Sequence, residues 1–148
     1  MQKGERKPKR MSLIEFNDKY GKEDYCRKDL WGRRLEIGYK CPKCYGNIGH
    51  RIEDRFIWQC ADCRHQIYLT ANTVFDNSKL ELRKWYLATF LMVSSKAGIS
   101  AKELQSQIGV TYKTAWYVHR RLREAMQTAN DKYKLEGIVA MDEAYFSL

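Results

Sequence analysis

The sequence predicts an α+β chain, with a small β-domain organised by cysteines followed by a three-helix unit. Three observations predict it. Four of the five cysteines fall into two C-x2-C pairs separated by fifteen residues. The stretch between and after those pairs is rich in β-branched and aromatic residues, as short strands are. Beyond it, helix-start and helix-stop signals alternate along residues 78–126.

The chain has 148 residues, room for one ordinary domain or two small ones. Its 44% hydrophobic and 30% charged content are those of a globular protein. The longest apolar run, Trp85 to Val93, is too short to cross a bilayer. The N-terminal "MQKGERKPKR" is basic but lacks the apolar stretch of a secretory signal, so a cytoplasmic protein without membrane attachment is expected. The net charge of +9 is uneven. Residues 1–40 hold 12 basic and 7 acidic side chains, residues 41–77 hold 4 of each, and residues 78–134 hold 11 against 4. Residues 135–148 hold 3 acids and no base. Two basic stretches around a neutral one point to a polyanionic partner or to a solvated basic surface, and charge does not choose between them.

Taken in order, residues 1–11 read as a disordered basic tail able to touch phosphates non-specifically. Residues 12–36 form a helical lead-in. Ser12-Leu13-Ile14-Glu15 is a capping box, in which serine and glutamate each satisfy an orphan backbone N–H. Helices near 13–20 and 23–32 follow and are expected to pack on the cysteine domain. Cys26 stands alone in helical sequence and reads as a small buried apolar residue.

Residues 37–76 carry Cys41-Pro42-Lys43-Cys44 and Cys60-Ala61-Asp62-Cys63. This spacing suits a tetrathiolate Zn2+ site, each C-x-x-C turn offering two thiolates to one tetrahedral ion. Ile52, Phe56, Ile57 and Trp58 predict a hairpin between the knuckles, and "HQIYLTANTVF" another short strand, together a zinc ribbon. A segment of about 40 residues has only a marginal core, and structural zinc offsets that deficit. A disulfide framework conflicts with the absence of a secretory signal, and a thioredoxin-like site needs only one C-x-x-C. His50 and His65 are read as supporting or surface groups.

Residues 77–130 are expected to hold three helices near 79–96, 101–108 and 112–128. Ser78-Lys79-Leu80-Glu81 and Ser100-Ala101-Lys102-Glu103 are further capping boxes, and Thr111 is a third N-cap candidate. Gly98 and Gly109 stand where helices should stop. The short "GVT" turn makes the last two helices a helix-turn-helix candidate, with a generic helical bundle as the alternative. Leu104 and Ile108 form one apolar stripe, and Ala115, Val118, Leu122 and Ala125 another. Leu82, Trp85, Ala88 and Met92 are expected to close this core, with Trp116 packed against the first helix. Tyr112, Lys113, Thr114, Tyr117, Arg120 and Arg121 remain for DNA, the early ones near base edges and the arginines near phosphates. His119 is read as a surface residue.

With "CPKC…CADCRHQIYLTANTVF", "SKLELRKWYLATFLM", "SSKAGISAKELQSQIGVTYKTAWYVHRRLREAM" and "GIVAMDEAYF" in this order, the chain resembles the N-terminal half of a bacterial insertion-sequence transposase. Such proteins join a zinc ribbon and a helix-turn-helix to a DDE-type nuclease domain. The resemblance runs from about Ser12 to Phe146. It implies that residues 131–148 open a truncated RNase H-like catalytic domain, with Asp142 as the first metal-binding acid. Two-metal chemistry with Mg2+ or Mn2+ needs several converging carboxylates, so this chain alone is expected to be inactive. Adjacent strand residues face opposite ways, which makes Glu143 a neighbour of that site. Tyr45 stands where the first knuckle of such proteins has glycine, Asn72 replaces another glycine, and Ala140 replaces an acid.

The resemblance implies recognition of element terminal repeats in double-stranded DNA, in the bacterial cytoplasm at the nucleoid. Further partners are a second copy or the rest of a transposase. The alternative is a stand-alone zinc-ribbon and helix-turn-helix transcriptional regulator, which leaves "VAMDEAY" without a purpose. An intact small enzyme would need catalytic groups that are not in the sequence.

Overall fold

The computed structural model describes residues 11–95 and 97–130. The basic tail as far as residue 10 and the segment carrying Asp142 lie outside the described residues. Within them the chain is α+β, with five α-helices and a three-stranded antiparallel sheet.

Helix α1, Leu13–Tyr20, starts on the expected capping box, Ser12 Oγ accepting from Glu15 N at 3.2 Å and Glu15 Oε2 accepting from Ser12 N at 2.7 Å. Helix α2, Glu23–Ile37, runs past its expected end at residue 32 and stops at Gly38, whose φ of +87° ends the helix. The strands are β1 (Gly49–Ile52), β2 (Ile57–Cys60) and β3 (Gln66–Tyr68), in the order β1-β2-β3. Ile52 pairs with Ile57 across a one-turn 3-10 segment, and Trp58 pairs with Ile67. Helices α3 (Leu82–Ser94), α4 (Ala101–Ile108) and α5 (Tyr112–Asn130) complete the chain.

Two apolar clusters hold these elements together. The first joins Phe16 and Tyr20 of α1, Cys26, Leu30 and Trp31 of α2, and Trp58 and Ile67 of the sheet. It is strongly aromatic: Phe16 stacks on Phe90 at 4.7 Å and Tyr39 lies nearly parallel to Trp58 at 5.6 Å. The second joins Trp85, Ala88, Leu104, Ile108, Val118 and Leu122. Helix α3 serves both, turning Leu82, Tyr86 and Phe90 to the first and Trp85, Ala88 and Met92 to the second. Leu82 therefore does not close the three-helix core as expected. Ala125 is exposed, because the buried stripe of α5 ends at Leu122.

Polar contacts fix the seam between the halves. The expected Ser78–Glu81 capping box does not form. Glu81 is the N-cap of α3 and its side chain makes no capping bond. The carboxylate of Glu23, at the start of α2, instead accepts from Leu82 N at 3.0 Å and Arg83 N at 2.8 Å. Ser78 Oγ accepts from Leu80 N and from Trp85 Nε1, both at 3.1 Å. Asp29 gathers Arg33 Nε at 2.8 Å, Tyr86 Oη at 3.0 Å and Tyr20 Oη at 3.3 Å. Burial works against its charge, but the bonds from Arg33, Tyr86 and Tyr20 hold its carboxyl below the usual range. Arg34 Nη1 donates to the carbonyls of Leu69 and Ala71 at 2.7 and 2.6 Å, tying α2 to the chain after β3.

Candidate metal centre and nucleic-acid interface

The two knuckles are built by the same pair of backbone bonds. In the first, Cys41 N donates to Gly46 O at 2.8 Å and Tyr45 N to Cys41 O at 2.9 Å. In the second, Cys60 N donates to His65 O at 2.9 Å and Arg64 N to Cys60 O at 3.0 Å. Each turn forces the residue after its second cysteine into the left-handed region, Tyr45 at φ 63° and Arg64 at φ 58°. A side chain there costs roughly 1–2 kcal/mol. A Cβ on Gly46 would lie 2.4 Å from Asp62 Oδ2, the end of an exposed side chain that can turn away. Asn72, which also replaces a glycine, takes a φ of 58°.

These turns bring four sulfurs together. Cys41 Sγ is 3.5 Å from Cys63 Sγ, Cys44 Sγ is 3.4 Å from Cys60 Sγ, and all four lie within 4.8 Å of one another. Four thiolates around one tetrahedral ion at about 2.3 Å sit about 3.8 Å apart, so this cluster can hold a metal ion such as zinc. Cys41 and Cys60 are buried, Cys63 half-buried and Cys44 exposed. Burial opposes ionisation of Cys41, but N–H groups of Cys44 and Lys43 aimed at its sulfur bring its thiol down to about 7. At Cys44 the N–H of Gly46 lowers the value, and the crowding sulfurs of Cys60 and Cys63 push it up to about 12. Four thiols this close cannot all ionise without a cation between them. His50 is exposed and His65 half-buried, and neither joins the cluster.

The second candidate site is the outer face of α5. Ser100 Oγ caps α4 by accepting from Glu103 N at 3.1 Å, and Gly109, at φ 61°, closes it with N–H to Gln105 O at 3.0 Å. Thr111 Oγ1 accepts from Thr114 N at 3.4 Å and starts α5. Two helices joined by this three-residue turn pack through Leu104, Ile108, Ala115, Val118 and Leu122. With Ala115, Val118 and Leu122 inward, the 100° step of a helix turns Lys113 and Arg120 directly outward.

The residues expected to meet DNA divide into two groups. Tyr112, Lys113, Tyr117 and Arg120 are exposed. Thr114 is half-buried and its hydroxyl is 3.0 Å from that of Thr111. Arg121 turns back into the protein, its Nη1 donating to Asp76 O at 2.6 Å and to Tyr117 Oη. Arg120 is bonded to Glu124 at 2.8 Å on the surface. His119 is no simple surface histidine, since it is half-buried with Nε2 2.9 Å from Ile99 O.

Trp116 departs most from expectation. It is 47% exposed and does not pack against α3, and the guanidinium of Arg120 lies 5.6 Å from its ring. Its place beside the core residue Ala115 in sequence is misleading, because neighbours in a helix point 100° apart. A helical projection of α5 would have shown Trp116 and Arg123 beside Lys113 and Arg120. Among the described residues no helix is long and apolar enough to cross a membrane.

No protein-family model matches the sequence, and no solved structure matches it. Over 120 residues the chain is 33% identical to an uncharacterized protein in transposable element ISH50 of Halobacterium salinarum. The matched stretch is 76% of this chain and 38% of that protein, so the chain spans well under half the length of its relative. The chain is thus similar in sequence to a protein carried by an insertion-sequence element.

Proposed function

We propose that this chain is the DNA-recognising part of an insertion-sequence transposase, with α4 and α5 as a helix-turn-helix that binds the terminal repeats of its element. The observation that carries this reading is the outer face of α5. Its cations Lys113 and Arg120 stand opposite the buried stripe with the exposed Trp116 beside them, where a helix in the major groove meets bases and phosphates. Tyr117 meets Trp85 of α3 edge-on. The similarity to a protein of a transposable element supplies the biological setting. Cys41, Cys44, Cys60 and Cys63 hold one Zn2+, whose role is structural: it ties the two knuckles together beneath the aromatic cluster.

Binding isotherms at several salt concentrations, on duplexes from the ends of the element and on scrambled duplexes, test the reading. Arg120→Ala weakens binding to every duplex and flattens the salt dependence by about one unit of slope. Lys113→Ala costs about 1–3 kcal/mol on the element ends and little on scrambled DNA. Wild-type protein that binds both duplexes equally, with variants indistinguishable from it, refutes the proposal.

A further inference from the structure

We propose that Trp116 is a specificity-determining residue that reads the C5-methyl group of thymine in the major groove. This inference rests on the reading of α5 as the DNA-facing helix and adds which chemistry on the DNA that helix selects.

Trp116 presents a large ring, 47% exposed, among exposed charged residues of α5 and between the part-exposed Tyr112 and Tyr117. The surrounding charge identifies the class of partner. Lys113 lies one turn before Trp116, Arg120 one turn after it and Arg123 two turns after it, all exposed. Such a stripe suits a polyanion. Trp116 is the fifth residue of α5, about 6 Å along the axis from Tyr112, within the N-terminal part that reaches base edges in the major groove.

The indole restricts what can be read there. Its one polar group is a donor, and the rest of its surface is apolar. Among base edges in the major groove, the thymine C5-methyl is the one apolar feature. The Arg120 guanidinium lies 5.6 Å from the ring centroid and meets Glu124 at 2.8 Å in an exposed pair. Beside the ring a shallow depression of about 590 Å3 is bounded by His119, Arg123 and Met126. Arg120 and Arg123 are then placed for flanking phosphates while the ring meets the groove floor.

The experiment removes only the methyl groups. The zinc-loaded chain selects its best duplex from a random 20-base-pair library, and a copy is made with every thymine replaced by uracil. Wild type is expected to bind the uracil copy about threefold to fivefold more weakly for each methyl buried by the ring. Trp116→Ala binds both copies equally, and Trp116→Phe recovers part of the difference. Equal binding of the two copies by wild type, a difference that persists in Trp116→Ala, or a selected duplex lacking thymine overturns the proposal but leaves the DNA-binding reading intact. Failure of wild type to bind any duplex overturns both. A large fall in the melting temperature of Trp116→Ala without change in discrimination assigns the ring to packing and also overturns the proposal.

Discussion

Removing the Glu23 carboxylate should loosen the start of α3, although the two are 59 positions apart in sequence. That carboxylate accepts from Leu82 N at 3.0 Å and Arg83 N at 2.8 Å, so Glu23→Ala strands two N–H groups at a helix N-terminus. Losing a cap costs about 1 kcal/mol, and two charge-assisted bonds in a half-buried seam raise this to about 2 kcal/mol. The ion pair of Glu23 with Arg27, at 3.4 Å and partly exposed, adds little. For a chain of this size about 2 kcal/mol corresponds to a fall in Tm of roughly 6–10 °C. Thermal denaturation followed by circular dichroism, with zinc in excess, measures it. Glu81→Ala is the control, because Glu81 would close the local capping box and makes no capping bond. That variant should stay within about 0.5 kcal/mol of wild type. If Glu81→Ala is the costly change and Glu23→Ala the neutral one, the cap is local and the packing of α2 on α3 is wrong.

Further outcomes are expected elsewhere. Cys60→Ser removes a buried sulfur from the cluster, so metal analysis should show zinc per chain falling well below one, and full zinc content in that variant refutes the four-thiolate site. Asp29 has a folded-state value held below the ordinary carboxylate range, so its contribution is present above about pH 4 and lost as pH falls through the lower folded value. Asp29→Asn should therefore destabilise the chain more at pH 7 than in acid, where the carboxyl is protonated, measured by denaturant titration across that range. Burial pushes the Cys26 thiol up to about 11 and its side chain is fully enclosed. With zinc bound at pH 8, a thiol reagent should leave Cys26 unmodified until the chain is unfolded in denaturant; fast modification of Cys26 in the folded, zinc-loaded chain would refute its burial.

Features confined to a few neighbouring residues were legible in the sequence. The spacing of Cys41, Cys44, Cys60 and Cys63 foretold a cluster because a C-x-x-C turn closes through bonds spanning four and five residues. Ser12, Ser100, Thr111 and Gly109 marked helix ends for the same reason, each acting within five positions. Ser78–Glu81 carried an equally good local signal and failed, because α2 brought a competing carboxylate to the same N–H groups. No pattern near residue 80 encodes that. The same limit explains Arg121, whose guanidinium found Asp76 O, and Leu82, which joined the aromatic cluster because α3 has neighbours on two sides. Local spacing determines which backbone groups can meet inside one turn. Which side chain satisfies a group exposed at a helix end, and which of two clusters a residue such as Leu82 joins, depends on how whole helices lie against one another.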